Sequence, residues 1–194
     1  MRARNVSHAR QRRLISHALS DKALHEQQGL LKRYVDLLVA RLRSVAATGE
    51  STDIVDWFNF TTFDTMADLT FGEPLKLLEE SIYTPWVRAL FSYMRVINLG
   101  SNVRCWPGLE RLLYALASKK SFAQRKLHLR HAIDRVDKRL AQKTDRPDIW
   151  TYILRYSESK ENKERGLTQS EMYSNAALFM LAGTGVNFHI THEK

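Results

Sequence analysis

The chain has 194 residues, a formal net charge of +9, 44% hydrophobic and 10% aromatic residues, and a single cysteine. That size and apolar content fit one globular domain with a substantial core, and no apolar run approaches the roughly 18 residues a membrane span needs. One cysteine excludes an internal disulfide and a multi-cysteine zinc site, and Met1-Arg2-Ala3-Arg4 leads into a polar helix rather than a signal peptide.

The apolar spacing is helical almost throughout. A first helix is predicted over 6–19, with Leu14, Ile15, Ala18 and Leu19 on one side, closed by Ser20-Asp21. Residues 23–47 place Leu31, Val35, Leu38, Leu42 and Val45 in one stripe, with Gly49 as the stop. Asp53 is placed to cap a third helix over 54–71. Its Trp57, Phe58, Phe60, Phe63, Met66, Leu69 and Phe71 run nearly all round, so it should be the central buried helix, ended by Gly72 and Pro74.

Thr84-Pro85 opens a fourth helix, residues 100–108 read as a loop, and a short helix is expected over 109–117. A long basic helix should cover about 119–143, with Phe122, Leu129, Ile133, Val136 and Leu140 inward. A short helix follows from Ile149 to Tyr156, then a charged loop from Ser157 to Gly166. Thr168-x-x-Glu171 is a capping box in front of the last apolar helix. No fixed repeat and no strand pair emerge, so the fold class is all-α.

The positive charge gathers in residues 1–43 and 104–146. Spread over several helices, it reads as solvated helix faces, and no nucleic-acid partner is expected. The alternative is a non-catalytic basic helical protein that binds an acidic partner or nucleic acid, which would show as strongly salt-dependent binding. His8 and Arg12 lie four apart, hence on one helix face, where two donors can clamp an anion such as a carboxylate. Asp64 and Asp68 also share a face, but no third ligand joins them at helical spacing. Capping or buried hydrogen bonding is the favoured reading. His189-x-x-His192 has the spacing of a metal pair without a third ligand nearby, so no metal site is expected.

Three segments together resemble the cytochrome P450 family of haem-thiolate monooxygenases, in its fungal isotrichodermin-hydroxylase-like group. His8-Ala9-Arg10-Gln11-Arg12-Arg13, followed by Ser16-His17-Ala18-Leu19-Ser20, is similar to that family's helix C. Phe63-Asp64-x-x-x-Asp68-Leu69-x-Phe71-Gly72 is similar to its helix E. Ala176-Ala177-Leu178-Phe179-Met180-Leu181-Ala182-Gly183-Thr184 resembles its oxygen-binding helix I. The segments stand in family order and span helices C to early I, under half of a full-length member.

The resemblance implies haem as cofactor, an apolar small-molecule substrate of secondary metabolism and a reductase partner. It implies that His8 and Arg12 hold a haem propionate and that Ala182, Gly183 and Thr184 lie on the oxygen side. It further implies that Phe91, Tyr93, Met94, Ile97 and Phe179 line the substrate pocket. The family's axial thiolate pushes electron density onto the iron.

Its ligand loop comes after helix I, with a Gly two residues beyond the Cys, whereas Cys105 precedes that helix and Gly108 is three residues beyond it. Cys105 is therefore read as an ordinary loop thiol, and no axial Cys and no catalytic residue are assigned. The family's acid and hydroxyl after Ala-Gly-x are replaced by Gly185 and Val186, and no Glu-x-x-Arg pair occurs. Residues 1–184 are thus expected to form a partial P450 domain, with 185–194 a tail outside the pattern. The chain alone is expected to be largely inactive. It should be cytoplasmic as written, and bound to the endoplasmic-reticulum membrane in any full-length form.

Overall fold

The computed structural model describes residues 2–92, 94, 119–142, 144–158 and 166–188, and every regular element among them is a helix. The elements are α1 (Arg2–Ala18), α2 (Asp21–Thr48), α3 (Ile54–Phe71), the single turn α4 (Leu77–Glu80), α5 (85–92), α6 (Lys119–Ala141), α7 (Ile149–Glu158) and α8 (Gln169–Phe188). Their ends follow local chemistry. The Ser20 hydroxyl accepts from the Ala23 N–H, and the Asp53 carboxylate from the Val55 N–H at 2.9 Å, each satisfying an orphan donor of the first turn. Gly49 and Gly72 close α2 and α3 at φ 71° and 72°, a conformation that costs a Cβ-bearing residue about 1–2 kcal/mol. Gly72 carries a second constraint, since a Cβ there would sit 3.0 Å from Arg139 Cδ.

Helix α3 is the hub. Trp57, Phe60, Phe63, Ala67, Leu69 and Phe71 are buried on it, and α2, α4, α6, α7 and α8 all pack against it. Burying each large side chain stabilises the fold by roughly 1.5–3 kcal/mol, so this helix holds much of the hydrophobic free energy. Helix α8 packs closely along α3, and its Ala176, Ala177 and Met180 are buried. Helix α7, with Ile149, Trp150 and Ile153 buried, packs against α1, and α6 lies against α8.

Three residues expected to face inward do not. Leu19, Val35 and Leu129, expected inward, are 50%, 53% and 36% exposed. Leu38 and Val136 are buried, and Leu31, Leu42, Val45 and Leu140 pack on the core, as expected; Gln27 and Tyr34 on α2 and His128, Ala132 and Arg139 on α6 are buried with them. Polar residues with buried partners complete these inner faces, and apolar spacing does not find them. Phe58 is also half-exposed, leaving α3 with one open flank. Helix α7 continues through Ser157 and Glu158 into the stretch expected to be a loop, and α4 was not foreseen. The expected loop at 100–108 and helix at 109–117, and Phe122's inward side chain, lie outside the described residues.

Candidate functional site

Helix α1 offers two chemically different sides. Leu14 and Ala18 mark its buried line, flanked by Arg10 and Gln11. At 3.6 residues per turn, His8 and Arg12 fall on another side, roughly a quarter to a third of a turn away. Both are exposed, and neither makes a hydrogen bond or ion pair with another described residue. The pair is thus free to receive a ligand that approaches from solvent or from chain outside the described residues.

The inward-flanking residues are fully engaged with the start of α8. Arg10 donates through Nη1 to the Gly166 carbonyl and through Nη2 to Glu171 Oε1, the latter an ion pair. Gln11 Nε2 donates to the same Oε1 at 2.9 Å. Asn175 Nδ2 reaches Gln11 Oε1 at 3.3 Å and the Glu171 carbonyl at 2.8 Å. Glu171 also closes the expected capping box. Its Oε2 accepts the Thr168 N–H at 2.9 Å, while its own N–H donates to the Thr168 hydroxyl at 3.3 Å. Burial pushes the Glu171 carboxyl up, but the Thr168 N–H and the Arg10 guanidinium pull it further down, to about 2. It therefore stays ionised at neutral pH. The capping box was legible in sequence; its use as a clamp on α1 was not, because contact between residues 160 positions apart leaves no local signal.

Asp64 and Asp68 occupy separate environments. Asp64 accepts the N–H groups of Leu75, Leu77 and Leu78 at 3.0, 3.1 and 2.9 Å, which anchors the turn into α4. Burial pushes its carboxyl up against the pull of those donors. Asp68, fully buried, accepts from Arg33 at 2.6 Å, from the Tyr34 hydroxyl at 2.7 Å and from Arg146. These are structural bonds, and no cluster of three metal-ligating side chains occurs among the described residues.

The remaining expected site residues separate into three groups. Phe91 is half-buried and packs edge-on against Phe63 and Tyr83, at centroid distances of 5.4 and 5.3 Å. Met94 and Phe179 are half-buried, and Phe179 packs against the core. Ala182 is exposed on α8, and the helix runs on through Gly183 and Thr184 to Phe188 without a break. Tyr93, Ile97, Cys105, His189 and His192 lie outside the described residues. Two surface clefts, of about 370 and 640 Å³, are lined largely by charged and polar residues such as Arg33, Asp68, Arg139 and Asp145. Neither is lined by Phe91, Met94 or Phe179.

An unforeseen buried group lies between α5, α6 and α8. The His128 imidazole stacks on Trp86 at 5.8 Å with an interplanar angle of 16°, and its Nε2 meets the Ala177 carbonyl at 3.3 Å. His131 lies 5.4 Å from the same indole, and the Arg135 guanidinium sits over it at 5.7 Å. Burial lowers the basicity of all three groups.

Among the described residues the arrangement is all-α: a basic first helix has one side bonded to no described residue and the other clamped to the start of a long apolar helix. The cytochrome P450 family profile matches residues 2–185, and the chain belongs to that family. Similar proteins are fungal. Cytochrome P450 monooxygenase efuB of Hormonema carpetanum is 43% identical over 98% of this chain and 39% of its own length. Cytochrome P450 monooxygenase lcsI of Purpureocillium lilacinum is 38% identical over 92% of this chain and 34% of its own. The averantin hydroxylase of Dothistroma septosporum is 34% identical over 94% and 34%. The chain thus spans little more than a third of the length of these relatives.

The family implies haem. The residues that would meet its propionates fit that group: His8 and Arg12 are exposed, one turn apart and not committed to other described residues, whereas neighbouring Arg10 is fully engaged. No helix among the described residues is long and apolar enough to cross a membrane.

Proposed function

We propose that this chain provides the propionate-binding and oxygen-side helices of a haem-dependent monooxygenase that oxidises an apolar small molecule of fungal secondary metabolism. The observation that carries the reading is the uncommitted His8–Arg12 pair, on a helix whose other side is locked to α8. The names of the relatives, monooxygenases and a hydroxylase, support the reaction class. Haem bound there would supply the oxygen-activating chemistry. The chain's own part is to bind and orient. The Arg12 guanidinium gives a propionate a charge-assisted hydrogen bond and His8 a second donor. Small residues at Ala182 and Gly183 keep the oxygen side of α8 open. Phe91, Tyr93, Met94, Ile97 and Phe179 give the substrate an apolar wall.

A reductase is the proposed electron donor. The proposed location of the full-length protein is the endoplasmic-reticulum membrane. Cys105 departs from the family's ligand loop, and Gly185 and Val186 stand where the family has an acid and a hydroxyl. The 194 residues by themselves should therefore hold haem without a thiolate bond and show no monooxygenase turnover. Reducing the haemin-loaded chain under carbon monoxide tests this: a Soret band away from the thiolate position is expected. A thiolate-type band would contradict the inactive reading, and failure to load haemin would contradict the cofactor reading.

A further inference from the structure

We propose that Glu171 and Arg10 are positioning residues for the cofactor: their ion pair fixes the rotation of α1 so that Arg12 is presented to a haem propionate. The inference rests on the reading of His8 and Arg12 given above. Arg10 lies two residues before Arg12 on the same helix, so a rotation of α1 moves both side chains together. What prevents such rotation on this flank is specific. Arg10 and Gln11 converge on one carboxylate oxygen of Glu171, and Asn175, one turn further along α8, takes the Gln11 amide oxygen.

Glu171 is itself immobilised by the first turn of α8, because its second oxygen accepts the Thr168 N–H. The carboxylate is therefore a fixed point of α8 to which α1 is tied by two donors from consecutive residues. Two anchors on adjacent residues, about 100° apart around the axis, define a helix rotation in a way one contact does not. The side chains at Arg10 and Glu171 are 26% and 17% exposed, so solvent screens the pair only in part.

Haemin and haemin dimethyl ester, which lacks propionate charge, separate positioning from general support of the fold. Affinities of the unsubstituted chain, Arg12→Met, Glu171→Gln and the double variant would be measured for both forms, with circular dichroism confirming helix content. Arg12→Met should weaken haemin binding about tenfold or more, the loss of a charge-assisted bond. Glu171→Gln should weaken it about threefold to tenfold, leave the ester unaffected, and add little once Arg12 is gone.

Equal weakening of haemin and ester by Glu171→Gln would overturn the positioning role, as would an unchanged haemin affinity. If Arg12→Met also leaves haemin binding unchanged, the propionate reading itself falls.

Discussion

Asp64 and Asp68, one helical turn apart, both make the buried hydrogen bonds expected of them, but with different partners. One oxygen of Asp64 serves two N–H groups and the other serves a third, whereas Asp68 neutralises two arginines and a tyrosine hydroxyl contributed by α2 and the segment before α7. A still more buried pair joins Arg139 and Asp148, 2% and 0% exposed, through bonds of 2.6 and 2.9 Å. Arg139 also donates to the Thr151 hydroxyl at 2.8 Å, and Asp148 caps α7 by accepting the Thr151 N–H at 2.9 Å. A buried pair contributes little net stability when intact, but removing one partner strands the other charge. Arg139→Met should therefore cost about 3–5 kcal/mol in a urea unfolding curve. A loss below about 1 kcal/mol would mean that water or a neighbouring cation reaches Asp148.

At the scale of elements, helix starts and stops were readable because they depend on neighbours in sequence. Ser20, Asp53, the Thr168–Glu171 box and the left-handed Gly49 and Gly72 all act within four residues of themselves. Face assignments failed where a polar residue is buried by a distant partner. Tyr34 turns inward because Asp68 takes its hydroxyl, Arg139 because Asp148 waits for it, and His128 because Trp86 and the Ala177 carbonyl flank it. Hydropathy counts such residues as surface, so the apolar stripe found Leu31, Leu38, Leu42 and Val136 but missed the polar members of the same inner faces.

The His128 seam makes a pH prediction. Burial depresses His128 and His131 below the usual 6.5, and Arg135 beside them further disfavours protonation of His131. As pH falls below about 6.5 the unfolded chain takes up protons that the folded seam resists, so stability is full above that pH and declines beneath it. Thermal unfolding between pH 7.5 and 5 should show a falling midpoint, and His128→Phe, which keeps the stack on Trp86, should flatten the slope. An unchanged slope in that variant would assign the acid sensitivity elsewhere.

At the scale of the whole molecule, α3 organises the fold and α8 carries its long apolar axis, while α1 faces outward with a basic side that no described residue occupies. The family could be read from three segments in order. The tie between α1 and α8 could not, since it links residues 10 and 11 to residues 166–175. The central claim is that this free side of α1 recognises carboxylates of a planar cofactor rather than an arbitrary acidic partner. The most direct measurement is the ratio of affinities of the unsubstituted chain for haemin and haemin dimethyl ester at one salt concentration. The free acid should bind at least about tenfold more tightly, the share of one to two charge-assisted hydrogen bonds. Equal affinities for the two forms would contradict it.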